Sequence, residues 1–301
     1  MNDIDVNQRD ILQAVRESAV LADVSISMWG GTKTDGKLLN DLKAQHGAVG
    51  DVGTVQKKLL AGADELLKKT RTAYSAVRLR HYELTLPWVS DPHATRQEGP
   101  RLLPHLLTER YMSEMSAGKR TAVNTREEFL AAYPNDQIRA LGNLGGMAGT
   151  TRYPTVDELR AAFRIHFDFE PLPVAANFRG LDDFMLERLT KGLQKKQERQ
   201  LADASTAMWR RAAKPVRKLV ERLENADTTI KEPTIEALRE IVTLLPGWNL
   251  TGDPQMAEVT EEINELISGL DAKTLRTNEV IRAEVVRGAK QVQDKLTQWG
   301  L

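Results

Sequence analysis

The stretch of this chain that comes nearest to a chemical signature is "GGTKTDGKL", residues 30–38. A phosphate-binding loop is written G-x-x-x-x-G-K-[ST], and Gly31, Gly36 and Lys37 satisfy it. The last position does not, because Leu38 has no oxygen to hold Mg²⁺. A Walker-B strand ending in Asp is missing downstream, and so is the repeated strand–helix alternation of a parallel nucleotide-hydrolase sheet. The loop at 31–38 is therefore read as a degenerate, non-functional one, a glycine turn carrying solvated Lys33 and Lys37. Other chemistry fares no better. None of His46, His81, His93, His105 and His166 pairs with another at i+3 or i+4, and there is no cysteine, so no metal site and no nucleophilic thiol are expected. The paired carboxylates Asp64–Glu65, Glu127–Glu128, Asp182–Asp183 and Glu261–Glu262 fall at expected helix starts or wet faces, where acids complement the helix dipole. Gly142, Gly145, Gly146 and Gly149 never stand two apart, which excludes G-x-G-x-x-G and suggests a hinge. The chain reads as a non-enzyme without cofactors.

A charge asymmetry carries more. Net charge is zero, with 42 basic and 42 acidic residues. Yet residues 188–222 hold eleven Lys/Arg against three acids, and residues 223–301 hold eight against fourteen. Single-strand binders combine a positive track with stacking aromatics. Lys195, Lys196, Arg199, Arg210, Arg211, Lys214, Arg217 and Lys218 supply the track, with Trp209 among them as the aromatic. Arg78 and Arg80, just before Tyr82 and Trp88, form a second group of the same kind. The structural reading of the same residues is that Trp209 belongs to an apolar stripe with Met208 and that the cations are its wet face.

The elements that must position these residues are mostly helices. The composition is 41% apolar, 28% charged and only 5% aromatic, a helix-rich balance. No apolar run approaches membrane-spanning length, and the N-terminus lacks the basic-then-apolar layout of a secretory signal, so a cytoplasmic location is expected. A first helix is predicted over about 8–21, a short strand over Val24–Met28 and a long helix over about 54–80. Tyr82, Leu84 and Leu86 alternate as a strand should, and residues 88–104 read as a loop. Thr125 with Glu128, and Thr155 with Glu158, are spaced as capping boxes. In "FRIHFDF" Phe163, Ile165, Phe167 and Phe169 alternate with polar residues, the clearest strand in the chain.

From Leu181 the pattern is helical to the end. Leu181, Met185, Leu189, Leu193 and Leu201, continued by Met208, Ala212, Val216, Leu219 and Leu223, mark one apolar side of a helix about 60–65 Å long at 1.5 Å per residue. "QKKQERQ" at 194–200 has no apolar residue and is expected to be solvated all round. Pro215 should kink the helix or restart it. Further helices are predicted from Pro233 to Pro246, from Pro254, and from about Ala272 to the end. In the last, Val285, Ala289, Val292, Leu296 and Trp299 follow coiled-coil spacing.

The run "ISMWGGTK", the long helix after it, and "YPTVDELRAAFRIHFDFEPLPVAANFRG" at Tyr153–Gly180 together resemble a family of helical proteins of unknown function encoded by bacteriophages and mobile elements. Some members are encoded near ring-forming MoxR-like ATPases and partners with von Willebrand A-type domains. The resemblance implies an adaptor or assembly role and carries over no catalytic residues.

The expectation is a mainly α protein with a small antiparallel β element, divided near residue 150 into an N-terminal part with the short strands (1–150) and a strand followed by an elongated helical bundle (151–301). Its expected function is that of a phage-type accessory protein associating non-specifically with single-stranded nucleic acid. The alternative is a self-assembling structural or adaptor protein working with a protein partner such as a ring ATPase. The basic helix, the acidic tail and the heptad-like C-terminus make a homo-oligomer the expected state.

Overall fold

The structure is a computed structural model, which describes residues 3–88, 99–149, 152–174, 180–225 and 229–300. It is mainly helical with a small antiparallel sheet, as the composition implies. The chain forms two compact units. Unit 1 comprises 1–23, 82–111 and 168–301, and unit 2 comprises 24–81 and 112–167. A single break near residue 150 has no counterpart in this division, since residues 112–167 belong to one unit throughout.

Elements in chain order begin with α1 (Asp3–Ser18), β1 (Ala19–Ser27), β2 (Thr32–Thr34), α2 (Gly36–His46) and β3 (Gln56–Lys58). Next come α3 (Glu65–Leu84), β4 (Leu86–Pro87), β5 (Arg101–Pro104), α4 (Thr108–Leu144), α5 (Val156–Ala162) and β6 (Arg164–Glu170). The chain ends with α6 (Asp183–Glu224), α7 (Glu232–Trp248), α8 (Pro254–Ile267), α9 (Ala272–Thr277) and α10 (Glu279–Gly300). The larger sheet has the order β4-β5-β1-β6, and β2 pairs with β3. β5 is antiparallel to both β4 and β1, with Leu102 opposite Leu86 on one side and Leu21 on the other.

Several local expectations hold. Thr155 caps α5 by accepting from the Glu158 amide while Glu158 accepts from the Thr155 amide, the full capping box. Asp182 and Asp253 cap α6 and α8. The strand at "FRIHFDF" is β6. α6 is one piece of 42 residues, and Pro215, expected to kink or restart it, does not restart it.

Others do not. The alternation Tyr82–Leu84–Leu86 belongs mostly to α3, whose buried Tyr74, Val77, His81 and Leu84 recur at helical spacing. Only Leu86–Pro87 is strand. The long helix expected from about 54 starts at Glu65, because residues 56–58 pair with β2. Thr125 and Glu128 lie inside α4, where the Thr125 hydroxyl donates back to the Ala122 carbonyl at 2.9 Å. Pro134 and Pro246 stop neither helix. A proline inside a helix costs about 3 kcal/mol. Pro134 itself is exposed, and the burial of Phe129, Leu130, Tyr133 and Ala140 around it offsets that cost. The loop expected over 88–104 falls mostly on residues outside those described, and its last part is β5.

Unit 2 is held by an aromatic chain. Tyr74 meets Phe163 with ring centroids 5.4 Å apart, Phe163 meets Phe129 at 6.0 Å, and Phe129 meets Tyr133 at 5.7 Å and Trp29 at 6.2 Å. Most of these pairs are edge-on, the arrangement that ring quadrupoles favour.

Unit 1 is built on α6. Its buried Ala204, Met208, Ala212, Val216, Leu219 and Leu223 pack against α7 and α10, which pack in turn on α8. The heptad-like residues Val285, Ala289, Val292 and Leu296 are all buried within this bundle, so the seam is filled by the chain's own helices. The side chain of Trp299 lies outside those described.

Candidate nucleic-acid interface

α6 forms because its polar and apolar residues separate at helical period and Asp182 satisfies its first turn, accepting from the Met185 amide at 2.8 Å. A helix advances about 100° per residue. On that projection Lys195, Lys196, Arg199, Arg210, Lys214, Arg217 and Lys218 fall within a sector of about 140°, stretched over about 35 Å of axis. All seven side chains are exposed. Among the described residues, no carboxylate stands within ion-pair distance of any of them. Arg188, which the sequence reading counted as charge but not as site, is exposed in the same sector and extends it. Asp203 and Glu221 are the acids that interrupt it. The signal that finds Arg188 is angular position on the helix rather than distance along the chain.

The remaining members of the expected set are placed differently. Trp209 is only 5% exposed, inside unit 1, so its ring offers no stacking surface. Arg211 points away from the cationic face. Its guanidinium lies 4.9 Å over the Trp248 ring and donates to the Thr85 carbonyl at 2.8 Å. Burial pulls its pKa down to about 10, with Glu83 opposing the shift. Arg101, fully buried beside it, shows the same depression to about 10, caused by burial and then by Arg211. Arg101 therefore belongs to the interior of unit 1, and the half-buried Arg211 is tied to it through Thr85 and Trp248. Arg78 and Arg80 lie in unit 2 and are half-buried. Arg78 donates to the Ile26 carbonyl at 3.1 Å, and Arg80 is ion-paired with Glu114.

The polar stretch 194–200 is not solvated all round. Gln197 and Gln200 are buried and hydrogen-bonded. Gln197 accepts from Arg16 at 2.6 Å and donates to the Pro173 carbonyl at 2.8 Å, while Gln200 donates to the Trp88 carbonyl at 3.3 Å. A buried amide is tolerated only with such partners, and one chain cannot show which glutamines find them.

The phosphate-loop look-alike in unit 2 has a definite geometry. Asp35 caps α2, accepting from the Leu38 amide at 3.0 Å, and its other oxygen pairs with Lys57 at 2.9 Å. The place that an incoming phosphate takes at a true phosphate loop is thus occupied by the chain's own carboxylate. Lys33 and Lys37 are exposed at the edge of a cavity of about 330 Å³ that Gly146 and Gly149 also line. Among the described residues, no three or more His, Asp or Glu side chains are grouped as metal ligands would be. No described helix is long and apolar enough to cross a membrane.

The chain matches no protein-family model, no curated protein and no solved structure.

Proposed function

We propose that this protein binds nucleic acid along the sugar–phosphate backbone, without reading sequence, through the cationic face of α6, and that it is not an enzyme. The observation that supports this reading is that seven exposed cations share one helix face with no carboxylate partner among the described residues, in a chain whose net charge is zero. Leaving like charges unneutralised along one face costs self-repulsion, and a polyanion with regularly spaced phosphates relieves it. Arg and Lys at helical intervals suit phosphate contact, which positions a protein without specifying bases. With Trp209 buried, the binding energy is electrostatic, and the face accepts a single strand or a duplex on the same chemistry.

The test is fluorescence anisotropy with a labelled 30-nucleotide single strand and the matching duplex, titrated between about 50 and 200 mM salt. Seven phosphate contacts give a log–log salt slope of about −6 on duplex and about −5 on single strands. The triple substitution Lys214→Gln, Arg217→Gln, Lys218→Gln removes three contacts and flattens the duplex slope by about 3. Absence of binding at 50 mM salt, or a triple variant that binds like the parent, rejects the proposal.

A further inference from the structure

Unit 1 has two unfilled surfaces at opposite ends of α6, and we propose that the first turns of α6 from one copy seat in the α8–α10 groove of a second copy, so that chains associate head to tail. Arg188, Lys195 and Lys196 belong both to this head and to the proposed nucleic-acid face, so the association is tested on nuclease-treated protein.

The first surface is the start of the rod. Leu181, Phe184, Met185 and Leu189 are 41%, 70%, 40% and 37% exposed. The spacing of Phe184, Met185 and Leu189 puts them on one outer side of α6, with Leu181 just ahead of the cap Asp182, while Leu186 and Leu193 line a cavity of about 740 Å³ with Leu12 of α1. Phe184, Met185 and Leu189 fall within about 140° on the helix, an exposed apolar side of the kind that lies in a groove. The sequence pattern puts Leu181, Met185 and Leu189 on one continuous apolar side of the helix. In the structure the cover begins only at Gln197, Gln200 and Ala204.

The second surface lies between α8 and α10. The two helices approach closely at Gly288, where a Cβ would come within 2.8 Å of Leu266 Cδ1. Beside this contact is an open groove of about 1080 Å³, lined by the half-buried Leu266 and Ile281 and by the small exposed edges of the otherwise buried Val285 and Val292. Glu265, Glu284 and Asp294 on its rim are exposed and have no ion-pair partner among the described residues. Counting every charged lining residue, four acids stand against Arg287 and Lys295, and Lys295 is already held by Glu258 and Glu262.

Charge decides the occupant. Phe184–Lys196 carries Arg188, Lys191, Lys195 and Lys196 against Glu187 alone, a basic apolar helix for an acid-rimmed apolar groove. The two surfaces cannot meet within one molecule. Arg282 of α10 donates to the Leu223 carbonyl at 2.7 Å, which ties the groove to the last turns of α6. Phe184 lies about 58 Å further back along the same continuous helix. The contact is therefore made in trans. It is heterologous, so each added copy leaves one head and one groove free, and association continues into a ring or a filament.

The test is sedimentation velocity on nuclease-treated full-length protein at about 5 and 100 µM, the upper value being well above a micromolar Kd. The parent's sedimentation coefficient rises with concentration. Phe184→Glu with Leu189→Glu abolishes the rise by removing the head. Glu265→Lys with Glu284→Lys abolishes it by reversing the groove rim. Every substituted residue is exposed, and unchanged circular dichroism confirms folding. An equimolar mixture of the two double variants has one intact head and one intact groove, so it yields a dimer and nothing larger. A parent that stays monomeric at 100 µM, variants that still associate, or a mixture without dimer each overturns the proposal.

Discussion

The ammonium of Lys57 lies 2.9 Å from the carboxylate of Asp35, and this pair closes the one stretch of sequence that looked like a nucleotide site. Lys57 also donates to the Met147 carbonyl at 2.9 Å, so a single buried cation joins the start of α2, the β2–β3 hairpin and the turn after α4. Asp35 is held below the usual carboxylate range, first by the Leu38 amide and then by Lys57. A depressed carboxylate contributes stability above its unfolded value, about 3.9, and loses it as pH falls through the folded value. Lys57→Met should thus lower the urea midpoint at pH 7, and the deficit should shrink below about pH 4 as Asp35 is protonated. Lys37→Ala, at an exposed position, should leave the midpoint unchanged. Equal losses from both substitutions would mean that the pair is not what holds the loop.

Arg211 and Lys214 stand three positions apart on α6 and differ in function. Arg211→Ala removes the donor to the Thr85 carbonyl and the cation over Trp248, and should cost roughly 1–3 kcal/mol of stability. The salt slope of nucleic-acid binding should stay as it was. Lys214→Ala should do the reverse, with stability within about 0.5 kcal/mol and a flatter slope. Paired denaturation and anisotropy measurements on the two variants decide the matter.

Gly247 sits within α7, where alanine is ordinarily better by about 1 kcal/mol. A Cβ there would lie 2.7, 2.9 and 3.1 Å from three side-chain carbons of Leu107, which is buried. Overpacking costs about 1–3 kcal/mol, so Gly247→Ala should destabilise by up to about 2 kcal/mol. In a Leu107→Ala background the same change should become neutral or stabilising. A chemical-denaturation double-mutant cycle reads the coupling, and additivity would show that the two groups do not collide.

Tyr133 donates to the Pro154 carbonyl at 2.9 Å, and its pKa is pushed up to about 12 by burial, then by Tyr153 and Glu158. A folded pKa above the unfolded value of about 10 means that the unfolded chain releases its proton first. The contribution is complete below about pH 10 and is lost as pH rises toward 12. Tyr133→Phe should cost about 1 kcal/mol at pH 7 from the lost hydrogen bond. Its stability should then fall less steeply than the parent's between pH 9 and pH 11, as urea midpoints across that range would show. Parallel curves would exclude Tyr133 from the alkaline limb.

What one chain of letters determines here is what neighbours in sequence can settle among themselves. The Thr155–Glu158 box and the β6 alternation depend on groups a few residues apart, and each was legible, whereas Pro215, expected to kink or restart α6, lies inside one helix. The basic side of α6 was legible too, since helical period alone gathers its lysines and arginines. Tertiary structure decided the rest. Tyr82 and Leu84 joined a helix because α3 already presented Tyr74, Val77 and His81 to the core at helical spacing. Trp209 and Arg211 turned inward, and Gln197 and Gln200 were buried, because hydrogen-bond acceptors distant in sequence awaited the polar ones. Amphipathic periodicity states that a helix has a side to cover; only the partners brought by the fold determine how far along that side the cover extends.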